Sequence, residues 1–408
     1  MALPAQGIYK LKGVVRNYDW GGSEFLSKLL SYPNPGKQPM AEYWLGAHDA
    51  DPSILIMDQK EARLNDLIAR EKEKILGKIV AKKFGRLPYL LKAQDVNDML
   101  SIQVHPSKHE AEMEFSRENA EGVLIDAAYR NYKDDNHKQE LVVGLSDFWL
   151  LHGFKPIEDL RTTLEAIPEF KPLLEIFNSA GYDQLYKTVM EMPQQSVNGL
   201  LQPLLDRVVP LYKTDQLNKN GEDFWAARAA LTFNKENKID RGIFSIYFFN
   251  LLQLNKGEGL FQDTGVPHAY LEGQNIEIQS NSDNVLRGGL TNKHIDVKEL
   301  MKHIKFEETI ANVIQAKKLA NEEVYQTASP DFKLSRFNLE PGQEAAFKSV
   351  SGEILFVIEG QIVVRSNDNE LELSKGEAAF ITSHQDVALK ALSNSEVYRA
   401  SVPVHSGE

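Results

Sequence analysis

The sequence contains no cysteine. Disulfides and thiolate metal sites are therefore excluded, and any metal must be held by histidine, carboxylate or amide groups. No long hydrophobic run is present either. The most apolar stretch, 243–254, is interrupted by Ser245, Asn250 and Gln253 and is too short to span a bilayer. Residues 1–13 lack the continuous apolar core of a signal peptide. Positive charge is not in excess: 46 Lys plus Arg face 58 Asp plus Glu, a net charge of −12. That balance argues against a nucleic-acid binder, whose surface must neutralise phosphates. It leaves an anionic small substrate open, because local charge can oppose net charge. Glycine-rich phosphate loops of the P-loop kind are missing as well. These absences lead to the expectation of a cytoplasmic protein with neither a membrane nor a nucleic acid as partner.

What is there is an ordinary globular composition, 42% hydrophobic and 25% charged over 408 residues, enough for two or three domains. Residues 1–60 read as short strands and turns with aromatic clusters at Trp20 and Trp44. Residues 61–82 carry Leu64, Leu67, Ile68, Ile75 and Ile79 near helical spacing. Strand character resumes at 87–92, and 110–119 is charged and helical. Between 151 and 235 helical segments dominate, forming a block inserted between strand-rich regions, either a wall or lid for a site or mere packing. Strand character returns at 243–254, a helix is expected at 297–304, and strands dominate again beyond 311. The turn Leu254-Asn255-Lys256-Gly257-Glu258-Gly259 has an echo in Leu373-Ser374-Lys375-Gly376-Glu377-Ala378. The match suggests two related β-units. Eleven residues past the first glycine stands His268 in one copy and Val387 in the other, so the second unit lacks that histidine.

One stretch organises the chemistry. Ser101-Ile102-Gln103-Val104-His105 reads as a strand stopped by Pro106. Alternation puts Ser101, Gln103 and His105 on one face and Leu100, Ile102 and Val104 on the other. A lone histidine there would commonly be structural; its company elsewhere raises the stakes. Glu140 opens a second strand after the turn Asp134-Asp135-Asn136, and His268 follows Gly265-Val266-Pro267. Gln103, His105, Glu140 and His268 are thus candidates for one metal centre, with donors that suit Zn²⁺ and its first-row neighbours. In 275–279, Asn275, Glu277 and Gln279 share a polar face. Arg287, in a glycine-ended loop, is a natural partner for an anion, and Lys293 adds a second charge nearby.

Several motifs together resemble the type I mannose-6-phosphate isomerases of the cupin superfamily. They are Leu100-Ser101-Ile102-Gln103-Val104-His105-Pro106, Asn131-Tyr132-Lys133-Asp134, Asn136-His137-Lys138-Gln139-Glu140, Gly265-Val266-Pro267-His268-Ala269-Tyr270 and Ser282-Asp283-Asn284-Val285-Leu286-Arg287-Gly288-Gly289-Leu290-Thr291. Their order and separation match that family across roughly residues 10–310. Two small departures are Gln139, where many members have Pro, and Gly288, where Ala is common.

The resemblance implies a mainly β fold with α. It would comprise a cupin jelly-roll β-sandwich (1–150 with 236–310), an inserted helical domain (151–235) and a second, metal-free cupin-like domain (311–408). It implies one Zn²⁺ per chain on Gln103, His105, Glu140 and His268, and a catalytic Arg287. The implied reaction interconverts mannose 6-phosphate and fructose 6-phosphate through a cis-enediol. Glu277 leads as general base, with Lys138 and Asp283 behind it. Ser101, Lys92 and Lys293 are the expected phosphate contacts, and Tyr270 and Trp20 the expected pocket walls. The expected partner is a phosphorylated hexose, and a monomer is favoured. An Fe²⁺-dependent cupin oxygenase and a non-catalytic sugar-phosphate binder are the alternatives.

Overall fold

The structure, a computed structural model, describes residues 7–57, 60–367 and 369–404. Residues 1–6 of the stretch read for a leader lie outside these. Among the described residues two large antiparallel sheets, of nine and eleven strands, pack face to face, and a four-stranded sheet covers the far side of the nine-stranded one. Between the large sheets lies an apolar layer that includes Leu91, Leu141, Ile276 and Ile278 from one side and Ile354, Phe356 and Phe380 from the other. The four-stranded sheet closes a second layer of Ile362, Val364, Leu373, Val387 and Leu389. Chain order and sheet order do not coincide. The early strands Ile8–Lys12, Ile54–Met57 and Lys60–Arg63 join the sheet built mostly from residues beyond 316, with Ile8 opposite Ile381.

The strand His268–Ser280 ties the eleven-stranded sheet together. Its second half pairs with Tyr89–Val96 and Glu140–Gly144, and its first half with Phe148–Phe154 and Gln103. The change of partner falls at an irregularity between Tyr270 and Glu272, next to Gly273 at φ +120°. A Cβ at Gly273 would stand 2.4 Å from the Asp147 carbonyl oxygen, so only glycine lets the strand cross there. Beyond the crossing, Ile276 and Ile278 enter the layer between sheets while Asn275, Glu277 and Gln279 face inward, as alternation requires.

The inserted block is helical, with the helices Ile157–Ala166, Lys171–Glu191, Gln194–Lys213 and Glu222–Phe233. Three expectations need correction. Residues 243–248 are not strand: Gly242–Phe248 is a helix, and the strand begins at Phe249. A continuous apolar run carries no period that separates the two states. Contact decides: Phe244, Tyr247 and Phe248, at helical spacing, all pack around Phe170. The single helix expected over 61–82 is three short ones, Leu64–Arg70, Lys72–Leu76 and Lys78–Phe84, broken at Glu71 and at Gly77, whose φ is +82°. The strand expected over 101–105 shrinks to Gln103–Val104, paired with Leu286–Arg287. Around it Ile102 exchanges backbone hydrogen bonds with Gly288 and Gly289. Its alternation survives, for Ile102 and Val104 are buried in the helical block's core while Ser101 and Gln103 line a cleft. Leu100 departs from it and lines the cleft as well.

Candidate active site

His105, Glu140 and His268 come from three separate segments and converge in the interior, all buried. One ligand atom of each lies within 4.8 Å of the others. His105 Nε2 stands 3.5 Å and His268 Nε2 3.2 Å from the two oxygens of Glu140, and the imidazole centres are 5.0 Å apart. Each ring is held from behind. His105 Nδ1 lies 2.7 Å from the Asn284 carbonyl and His268 Nδ1 2.9 Å from the Val266 carbonyl. A carbonyl only accepts, so each Nδ1 carries the proton and each Nε2 turns its lone pair toward Glu140. The Nε2 of His105 is buried with no hydrogen-bond partner. Two lone pairs and a carboxylate aimed at one point, one of them orphaned, fit a divalent metal of the zinc kind.

Charge is arranged to suit. Burial, aided by Lys138, holds the His105 imidazole neutral, with its pKa down to about 4. Burial pushes the Glu140 carboxyl up, but Lys138, 2.7 Å away, and the imidazoles outweigh it and keep it well below the usual carboxylate range. Gln103 sits opposite His268 in register, the position from which an amide oxygen could join the set.

Beside this centre opens a cleft of about 520 Å³. Ser101, Lys92, Lys138, Asp283, Arg287, Lys293 and Trp20, all candidates from the sequence, line it. Lys92 is buried, 2.8 Å from Glu277 and bonded to Gln279, and the surrounding carboxylates keep it charged. Arg287 has no ion-pair partner among the described residues, its Nε is buried without a hydrogen bond, and burial depresses its pKa. Lys293 is likewise unpaired and depressed, by burial and then by Arg287. Arg287, desolvated and without a carboxylate partner, and Lys293 on the exposed side of the cleft form a receptor for an anion.

Two candidates are placed differently from expectation. Tyr270 does not line the cleft. It is buried among Phe148, Leu150 and Leu254, accepting from Gln262 and donating to Glu277 Oε2 at 2.8 Å. Glu277 does not line it either and meets it through Lys92. Burial raises the Glu277 carboxyl against the pull of Lys92, a direction that suits a proton acceptor.

Four contributors escaped the sequence reading. Glu42 accepts from the Trp44 indole at 2.6 Å and from Gln94 at 2.7 Å, and Lys92 lies over the Trp44 ring. The signal was present, since Glu42 and Trp44 alternate with the core residues Tyr43 and Leu45. His48 bonds Asp283 at 3.1 Å, and with burial pushing the other way this pairing still keeps the Asp283 carboxyl low. Thr232 and Phe233, at the end of a helix of the inserted block, complete the cleft, so that block supplies a wall.

A metal-suited His–Glu–His set beside a polar cleft with an unpaired arginine, in a molecule of stacked β-units, defines a zinc enzyme of the cupin class. Two family models match: the catalytic domain of type I phosphomannose isomerase over residues 8–157, and the mannose-6-phosphate isomerase cupin domain over residues 321–389. The mannose-6-phosphate isomerase of Escherichia coli (strain K12) is 36% identical over 385 residues, covering 93% of this chain and 95% of that protein. That of Rattus norvegicus is 31% identical, covering 94% and 95%. The Salmonella typhimurium mannose-6-phosphate isomerase, solved bound to substrate and a zinc atom, superposes with a TM-score of 0.87 at 34% identity, covering 97% of this chain and all of that one. The chain belongs to the type I mannose-6-phosphate isomerase family.

Proposed function

We propose that this protein interconverts mannose 6-phosphate and fructose 6-phosphate, an intramolecular redox exchange in which a proton leaves C2 and returns to C1 through a cis-enediol. The observation that carries it is the buried His105–Glu140–His268 set beside a cleft that holds Arg287 without an ion-pair partner among the described residues. His105, Glu140 and His268 would hold the metal, with Gln103 adjoining. Zinc supplies, when bound, a Lewis acid for the oxygens at C1 and C2.

The chain's own groups do the rest. Arg287, desolvated and unpaired, favours negative charge developing on the enediol oxygens. Lys293, Lys92 and Ser101 receive the phosphate, and Trp20 bounds the sugar. A base must carry the proton. Glu277, with its raised pKa, leads by protonation but works through Lys92, whereas Asp283 and Lys138 stand on the cleft itself. The alternatives, an iron oxygenase and a binding-only relative, are not favoured, because neither accounts for a fold shared with a zinc- and substrate-bound isomerase.

We read residues 1–150 with 236–310 as the catalytic unit, 151–235 as the helical unit and 311–408 as the second β-unit. Among the described residues no helix is long and apolar enough to cross a membrane. A cytoplasmic setting is the default reading, and a monomer is expected on size-exclusion chromatography. The main test is an assay of purified protein with mannose 6-phosphate before and after chelation, with Zn²⁺ added back. Activity that falls with chelator and returns with Zn²⁺ is expected. No turnover by folded, zinc-loaded protein overturns the proposal.

A further inference from the structure

We infer that Asn284 and Asp134 form a positioning pair that sets the metal affinity of the site. Asn284 is fully buried and does two jobs at once. Its backbone carbonyl receives His105 Nδ1 at 2.7 Å. Its side-chain amide is spent on the turn that leads into Glu140. Oδ1 accepts from the backbone N–H of Lys133 at 2.7 Å and of Asp134 at 3.3 Å, and Nδ2 donates to the carbonyls of Asp134 and Asn136, each at 2.8 Å.

Asp134 answers from that turn. Its Oδ2 accepts from the backbone N–H of Asp283 at 2.7 Å, and its Oδ1 from the Ser282 hydroxyl at 2.8 Å and from the N–H of Asn136 at 2.9 Å. The segment after the strand His268–Ser280 and the segment before Glu140 are thereby locked together, and His105 is braced against the lock.

The consequence is tautomeric. Nε2 of His105 offers a lone pair only while Nδ1 keeps its proton, and Nδ1 keeps it because a carbonyl sits behind it. Without the amide, that carbonyl is held only by the Asn284 N–H on the Ser282 hydroxyl, at 3.2 Å, and by the bonds Asp134 makes to Ser282 and Asp283. The proton can then move to Nε2 and block the ligand atom. The turn released by the same change is the one that sets Glu140. A buried residue serving packing alone would give stability without touching either ligand.

This inference rests on the zinc reading, so its test separates the two. The Zn²⁺ dissociation constant is measured by competition with a chromophoric chelator for wild type, Asn284→Ala and Asp134→Asn. The His105 tautomer is read from ¹⁵N shifts of the zinc-free proteins. Expected is an affinity loss of about 10- to 100-fold in Asn284→Ala, with Nε2-protonated His105 appearing, and a smaller loss in Asp134→Asn. Ser282→Ala, which removes one hydroxyl from the lock, serves if Asn284→Ala does not fold, and a measurable loss of affinity in the same direction is required of it. Folded variants that bind zinc as tightly as wild type overturn this inference alone. A wild type that takes up no zinc overturns the metal centre and the inference with it.

Discussion

The two β-units begin from the same turn and end in opposite interiors. In Asn255-Lys256-Gly257-Glu258 the Glu258 carboxylate accepts from the Asn255 N–H at 2.8 Å, and in Ser374-Lys375-Gly376-Glu377 Glu377 accepts from the Ser374 N–H at 2.9 Å. Both glycines take positive φ, +86° and +82°, and each donates to a neighbouring strand at 2.8 Å. Past the turn the likeness stops. The first unit turns Lys92, Asn275, Glu277 and Gln279 inward around His105, Glu140 and His268, and both side-chain polar atoms of Asn275 are unpartnered. The second fills its interior with Ile362, Val364, Leu373, Val387 and Leu389. Each buried aliphatic stabilises by about 1.5–3 kcal/mol, whereas a buried ion pair roughly breaks even against its desolvation. The frame is therefore independent of what fills it: one copy carries chemistry and the other carries stability.

The sharpest way to break this contrast is His268→Val, which gives the first unit the residue of the second. Zinc uptake should vanish by metal analysis, and kcat/KM should drop by on the order of 10³ or more, the scale of losing a Lewis acid. Retained activity at that level would disconnect the site from the reaction. Next comes Arg287→Ala. A cation acting on developing charge should cost ~10²–10³ in kcat; a change confined to KM would instead assign Arg287 to the phosphate.

The converse exchange, Val387→His, should create no metal site. It should cost ~1–3 kcal/mol in chemical denaturation, as an unpartnered polar group in an aliphatic core does. Smallest is an acid effect peculiar to the polar unit. Burial holds His152 neutral, with its pKa down to about 3 against 6.5 in the unfolded chain. Below pH 6.5 the unfolded chain binds a proton that the folded chain refuses, so stability falls as pH drops from 6.5 toward 3. The slope is about 1.4 kcal/mol per pH unit for this one group. His152→Phe should flatten the difference in denaturation midpoint between pH 7 and pH 5, and an unchanged difference would remove His152 as its source.

Much of the site was legible because its residues carry period-two signals. Asn275, Glu277 and Gln279 alternate with Ile276 and Ile278, and the structure turns them inward as a set. Ser101 and Gln103 hold their face although the strand around them is only two residues long, since flanking contacts to Gly288 and Gly289 keep the segment extended. Where a residue has no periodic neighbours, legibility failed. His48 reaches Asp283 across more than two hundred positions of sequence, and no local pattern marks that pairing. Tyr270 follows His268 in its motif, which points to the cleft wall. It lies inside instead, its hydroxyl committed to Glu277. The helix Gly242–Phe248 was invisible for a different reason: every residue in it is buried, so no solvent face exists to reveal its period.

By itself the sequence determined the inventory. It excluded thiolate chemistry, marked the donors His105, Glu140 and His268, and placed polar side chains on alternating faces, because composition and period are local properties. Only the tertiary structure decided the geometry that makes them a site. Three segments far apart in sequence had to meet within 4.8 Å, and two carbonyls had to stand behind two imidazoles. Which sheet the first strand would join, and which cations would be left without a carboxylate, were settled there as well. Those are outcomes of long-range packing, where each contact depends on all the others, and no window of residues contains them.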